Sequence, residues 1–291
     1  MMAGVYIEKG KNYNIPEGSM VKVTKYKAQN KAEVTAMAKR KSIINNFKKE
    51  NANGCVDKRT GEFIEYKKNK IKPEKAVKRS MRKLEKLLTN NFSGEDDERF
   101  ITLTTEEEVK DIQTLKCYVK NFLKALKRKY GKGFKSAYVI EMHQNRESWH
   151  VHIMTKGTKG LNNESVKKCW NKGWTWTVKI TNEYTDFEID IEKIMMEPNG
   201  FLASKRYYGN DRVISYMTKY KTKESIPTGA RAYSVSRNLE KPDEVEMSYG
   251  EFKEECNTKN YTRQDEYTSL IRSVETDSII NKVKKEEWVE V

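Results

Sequence analysis

The chain has 291 residues, and 57 Lys and Arg against 42 Asp and Glu give it a formal charge of +15. A surface this basic attracts a polyanion, of which nucleic acid is the commonest and an anionic membrane surface the blander alternative. No apolar run approaches the roughly 20 residues that span a bilayer. The opening MMAGVYIEKGKNYNIPEG lacks the apolar centre of a secretory signal. These features predict a soluble, cytoplasmic protein with no membrane partner.

Cys55, Cys117, Cys169 and Cys256 form no close pair, which excludes a zinc ribbon or finger and predicts reduced, structural thiols. Apolar periodicity is densest between about residues 100 and 220, and the flanks are richer in charge. This divides the chain into a basic N-terminal extension (1–95), a core (96–240) and a charged C-terminal extension (241–291).

Residues 20–24 and 63–66 read as short strands in an otherwise Lys/Asn-rich start. Pro73 suits the first turn of a helix that runs to about Leu88, with Lys75, Lys78, Arg79, Arg82, Lys83 and Lys86 on its surface. That face is either simply solvated or a contact to a DNA backbone. Residues 93–98 are a loop. Residues 99–105 alternate and are rich in β-branched side chains, as in a strand. Ile112, Leu115, Val119, Phe122, Leu123, Leu126 and Tyr130 keep a helical stripe within 107–130, closed by Gly131 and Gly133. Strands follow at 137–143 and 149–154, joined by a turn at 144–148. A short helix at 163–170, a strand at 174–180 and a helix at 211–223 complete the core. One further helix is expected near 265–272. The order predicts an α+β fold, an antiparallel sheet of about five strands with helices packed on it.

All three histidines, His143, His150 and His152, fall in one ten-residue window. Residues two apart on a strand share a face, so His150 pairs with His152 and Glu141 with His143. A hairpin loop of two or four residues sets His143 opposite His150 and Glu141 opposite His152, and all four side chains converge. Two imidazoles and a carboxylate suit a divalent cation with positions left open for substrate. His150, His152 and Glu141 are the expected ligands. His143 is the rival third ligand, or else a DNA contact.

The segment VISYMTKYKTK (213–223) carries Tyr-x-x-Lys twice, at Tyr216–Lys219 and Tyr220–Lys223. At about 100° per residue, Val213, Ile214 and Met217 form a buried stripe. Tyr216 and Tyr220 lie on its border, beside a basic stripe of Lys219 and Lys223. Such border tyrosines are ordinary amphipathic packing when they stand alone. Beside a metal they have a further use. A phenol with a pKa near 10 can attack a phosphodiester whose charge a cation neutralises, with Lys219 favouring the phenolate or the transition state.

Together these residues resemble the HUH endonucleases. His150-Val151-His152 matches their His-hydrophobic-His signature, the strand at 100–104 resembles their first motif, and Tyr216-x-x-Lys219 resembles their catalytic tyrosine motif. The doubled tyrosine is similar to that of the rolling-circle initiators of small single-stranded DNA phages and related phage and plasmid Rep proteins. The Ser-Arg-Asn within 233–239 also resembles a segment of some of them. The resemblance covers roughly 99–240. It implies a five-stranded antiparallel sheet with the histidines on a central strand, and a tyrosine helix facing a bound Mg²⁺ or Mn²⁺. It further implies that Tyr216 and Tyr220 act alternately to nick and rejoin single-stranded or origin DNA in a bacterial cytoplasm, with Lys223, Arg212 and His143 as DNA contacts. No Walker-type run is present, so a host helicase is an expected partner. A conjugative relaxase or single-strand transposase would share the chemistry, and a non-catalytic basic DNA-binding protein would not need the tyrosines.

Overall fold

The computed structural model describes residues 5–10, 14–37, 47–50, 54–58, 60–65, 74–142, 149–181, 208–219, 231, 233–273 and 279–290. Its elements begin with β1 (Val5–Gly10), β2 (Met20–Tyr26), β3 (Lys31–Met37), β4 (Phe47–Lys49), β5 (Gly54–Asp57), β6 (Phe63–Glu65) and α1 (Glu74–Asn91). Then come β7 (Arg99–Thr104), α2 (Ile112–Tyr130), β8 (Lys135–Met142), β9 (Trp149–Lys156), α3 (Asn163–Cys169), β10 (Thr175–Thr181), β11 (Tyr208–Gly209) and α4 (Asn210–Thr218). The chain ends with β12 (Tyr233–Val235), β13 (Asp243–Ser248), α5 (Tyr249–Thr258), β14 (Tyr261–Ser273) and β15 (Ile279–Glu290). The fold is α+β. Among the described residues no helix is long and apolar enough to cross a membrane.

The chain divides into two units, one of 26–29 and 72–242, the other of 1–25, 30–71 and 243–291. The first holds a six-stranded sheet in the order β11-β10-β7-β9-β8-β12. All its pairings are antiparallel except the two-residue parallel contact of β11 with β10, so five strands form the antiparallel body. The pleat sends alternate residues to opposite faces. On one face Ile101, Leu103, Val151 and Ile153 pack with Leu115, Val119, Phe122 and Leu126 of α2 and Val166 of α3. On the other, Phe100, Met154, Ala137 and Val178 pack with Leu84 and Leu88 of α1 and Val213, Ile214 and Met217 of α4. Leu84 and Leu88 are fully buried, and each contributes roughly 1.5–3 kcal/mol to holding α1 in place. Lys78, Arg79, Arg82 and Lys83 stay exposed on the other side of α1.

Helix α2 begins at Ile112, later than the apolar stripe alone would place it. Asp111 caps it by accepting from the Gln113 and Thr114 N–H groups. The Thr114 hydroxyl and these two amides hold the Asp111 carboxyl below its ordinary value. Upstream, Glu106 N–H is spent on Lys172 O, which extends the β7–β10 ladder rather than a helix. At the other end of β7, fully buried Glu98 accepts from Gly94 N–H (2.8 Å) and from Lys156 Nζ (2.9 Å). This ties the loop before β7 to the end of β9. Burial pushes the Glu98 carboxyl up, against the pull of Lys156.

The second unit holds a six-stranded sheet in the order β1-β14-β15-β3-β2-β13 and the three-stranded sheet β4-β5-β6. Tyr249, Phe252 and Cys256 of α5 pack on Val21, Val23, Ala32, Val34 and Ala36. The strand-like pieces expected at 20–24 and 63–66 lie in β2 and β6. The helix expected near 265–272 is instead part of β14, which pairs antiparallel with β15 from Tyr261 to Arg272. Cross-strand pairing on both sides, with β15 and with β1, overrides a short local helical pattern.

Gly173 shapes the approach to β10. Its φ is +152°, and a Cβ there would stand 2.5 Å from Glu106 N and 2.6 Å from Thr104 O. Gly173→Ala should therefore cost about 1–3 kcal/mol, read as a lower urea midpoint. Gly160 also has a positive φ but nothing within 4 Å of its Cβ position, so Gly160→Ala should lower the midpoint less.

Candidate active site

The face of the first sheet covered by α1 and α4 is graded along the strands. One cross-strand row reads Val178, Phe100, Met154, Ala137 and Val235; it is apolar and lies under the helices. The next reads Trp176, Thr102, His152, Val139 and Tyr233. The row beyond contains Thr104, His150 and Glu141. Apolar packing thus gives way, over two pleats, to oxygen and nitrogen donors.

The hairpin register differs from the expected one. Glu141 pairs with His150 and Val139 with His152, so His143 is not opposite His150 and Glu141 is not opposite His152. The connection between β8 and β9 spans 143–148. It contains no glycine, which the tightest hairpin turns favour for their positive φ, and a longer loop results. The offset is two residues, one full pleat period, so the side chains keep their face. Glu141, His150 and His152 converge as expected. His143 lies outside the described residues.

His152 is at the centre. It is only 6% exposed. Its Nδ1 lies 3.1 Å from the Thr102 hydroxyl, its Nε2 lies 3.5 Å from Glu141 Oε2, and the same Nε2 lies 3.3 Å from the Tyr216 hydroxyl. Its ring stacks on Phe100 (centroids 5.8 Å, 9° between planes) and on His150 (6.1 Å, 19°). The Tyr216 ring meets His152 edge-on at 5.0 Å and Phe100 edge-on at 6.0 Å. Each such aromatic pair adds about 0.5–1.5 kcal/mol beyond its burial, enough to favour one orientation of both rings.

Tyr216 reaches this position because α4 is amphipathic. Asn210 Nδ2 donates to Phe92 O at 2.9 Å, tying the start of α4 to the end of α1. Val213, Ile214 and Met217 are buried, while Tyr216 is 44% exposed. Its hydroxyl meets the histidine face while its ring edge rests on the core, the border position expected from the helical spacing. Arg212 is exposed on α4, and Lys219 follows α4 directly, exposed, with its N–H bonded to Ser215 O. Tyr220 and Lys223 lie outside the described residues. Tyr233, in the His152 row, is a phenol raised above its ordinary pKa by burial, so it offers no phenolate near neutral pH.

Sequence reasoning missed Thr102, whose hydroxyl fixes the His152 ring. The alternation Phe100-x-Thr102-x-Thr104 could have flagged it, but only once β7 was known to pair with β9. Among the described residues no group of three or more His, Cys, Asp and Glu side chains forms a ready metal cluster. They do present a converging pair, Glu141 Oε2 and His152 Nε2. An ion with bonds near 2.1 Å separates neighbouring ligand atoms by roughly 3.0–3.4 Å, close to the 3.5 Å between that pair. An imidazole whose other nitrogen is held by a hydroxyl, beside a carboxylate, is a donor set that fits a divalent cation.

A family model described as a replication-associated protein of the ORF2 type matches residues 98–225. The matched span begins just before β7 and contains every site residue named above except Tyr233. No curated protein matches, and no solved structure matches. The similarity supports a replication-initiator role, and with it an interaction with DNA.

Thr102→Val keeps the shape and removes the hydroxyl. The expected result is a change in the ¹⁵N ring resonances of His152, with the urea midpoint lowered by less than about 1.5 kcal/mol equivalent. Unchanged His152 resonances would mean that Thr102 does not hold the ring.

Proposed function

We propose that the protein is a divalent-metal-dependent enzyme that nicks and rejoins single-stranded DNA to initiate rolling-circle replication, with Tyr216 as nucleophile. The observation that carries this reading is the Tyr216 hydroxyl 3.3 Å from His152 Nε2, on the face that also presents Glu141 and His150. His152, Glu141 and His150 would hold Mg²⁺ or Mn²⁺, which when bound neutralises charge on the phosphate and makes it electrophilic. Phe100 and α4 hold the phenol in place. In the reaction the Tyr216 oxygen forms a bond to phosphorus and loses its proton. The P–O3′ bond breaks, and the 3′ oxygen takes up a proton. A 5′-phosphotyrosine and a free 3′-OH result. The ester retains the phosphodiester linkage, so a later 3′-OH can reverse the step.

Lys219 would favour the phenolate, with Arg212, Lys223 and His143 on the DNA backbone. Tyr220, one helical turn from Tyr216 in sequence, would be the second nucleophile, and a host helicase would open the duplex. The contact at His152 also supports a second role for that residue. Its Nε2 lone pair can accept either the cation or the phenolic proton, but not both at once.

Incubation with single-stranded DNA of the parent replicon and Mn²⁺ should give a covalent protein–DNA band, with the modified peptide mapping to Tyr216 or Tyr220. The double substitution Tyr216→Phe/Tyr220→Phe should remove the band. Folded, DNA-binding protein that gives no adduct with any strand would exclude the enzyme reading. EDTA should abolish the adduct if His152 serves the cation; an EDTA-resistant adduct that still needs His152 would assign it as the base. His150→Ala with His152→Ala should remove the adduct and leave salt-sensitive DNA binding in place.

A further inference from the structure

The row that carries Glu141 and His150 continues on the far side of β7. Thr104 lies opposite His150, and its N–H donates to Trp174 O at 2.9 Å. Thr175 pairs with Leu103 and Trp176 with Thr102, so that hydrogen bond extends the ladder by one step and sets Trp174 opposite Thr104. Opposed residues share a face. Trp174 therefore belongs to the face of Glu141 and His150, two strand spacings from His150, or about 9.6 Å.

The two tryptophans of this edge differ in surroundings. Trp176 packs against the apolar cluster and meets Phe100 edge-on at 6.3 Å. Trp174 is 68% exposed, the most exposed of the large apolar side chains among the described residues. Its backbone is fixed by the bond from Thr104 and by Gly173, whose crowded position admits no side chain without a shift. An indole in water on a fixed backbone contributes little to the fold. It is well suited to receive a flat, apolar ligand face at no ordering cost. On a chain of net charge +15 that ligand is a nucleobase, because a polyanion brings bases to the face. Only a single strand has unstacked bases to offer.

We propose that Trp174 is a stacking platform for a base of single-stranded DNA, next to the phosphodiester handled by the Glu141–His150–His152 face. The location of that phosphodiester rests on the function proposed above; the stacking itself does not. Trp174 positions the strand and takes no part in bond making.

The test uses the full-length protein in EDTA, so that binding is read without cleavage. Trp174→Ala should weaken binding of a labelled single strand by about 5- to 150-fold, and Trp174→Phe should restore most of it. The slope of log affinity against log salt should be the same in all three proteins, because no phosphate contact is lost. Tryptophan fluorescence present in wild type and missing in Trp174→Phe should be quenched by the single strand. If Trp174→Ala fails to fold, the quenching comparison with Trp174→Phe decides. Wild-type affinity of a folded Trp174→Ala protein, absence of quenching, or an equal loss for duplex DNA would overturn the proposal. Normal adduct formation alongside such a result would leave the nuclease reading standing. Trp174-dependent binding with no adduct in any protein would mean the reverse.

Discussion

β9 is paired along both edges, with β7 on one side and β8 on the other, and the candidate site depends on that constraint. A strand held twice cannot slip by one residue without breaking both ladders. Such a slip would also send His150 and His152 toward α2 and bring Val151 and Ile153, both fully buried, to the other face. The hydrophobic core therefore enforces the register, and the register places the histidines. A slip of two residues in the hairpin costs less in side-chain placement. This is why a connection longer than expected still leaves Glu141 beside both histidines.

The same packing seats the tyrosine. Phe100 is a core residue, 3% exposed, yet its ring stacks on His152 and receives the edge of Tyr216. Val213, Ile214 and Met217 hold α4 on that core, and the helical period then leaves Tyr216 no direction but the histidine face. Stability and site geometry are not separable here. A cavity opened under Phe100 would loosen the nucleophile and the imidazole together, whereas loss of the Thr102 hydroxyl would loosen only the imidazole.

The second unit spends its polar groups differently. Glu286 is buried and accepts from Tyr249 OH at 2.8 Å and Trp288 Nε1 at 3.1 Å, with Arg263 and Lys284 each at 3.3 Å. Its lone pairs are fully engaged, which is what a buried carboxylate requires. Burial, reinforced by the Glu286 contact, raises the Tyr249 phenol, and burial pushes the Cys256 thiol up to about 12. Both stay protonated and inert near neutral pH. The basic groups around them are already paired with acids, a structural network in contrast to the open row of the first unit.

Local pattern was enough to read β7, β8, β9, β10, α1 and the body of α2, because their alternation or 3.6-residue period is written in consecutive side chains. It was enough, too, for the border position of Tyr216 and the shared face of His150 and His152, since period-2 and 100° geometry need only one strand or one helix. The tertiary structure decided what depends on residues far apart in the chain. The pairing of Glu141 with His150 needed the true loop length. The Thr102–His152 contact needed β7 to be the neighbour of β9. The strand at β14, where a helix was expected, needed β1 and β15 on its two sides. Residues before 40 and after 240 read as charged flanks because their apolar positions are sparse and scattered. Burial becomes possible only when β1, β2 and β3 share one sheet with β13, β14 and β15. Chain-distant hydrogen bonds leave no periodic trace in a sequence, and they fix which periodic elements meet.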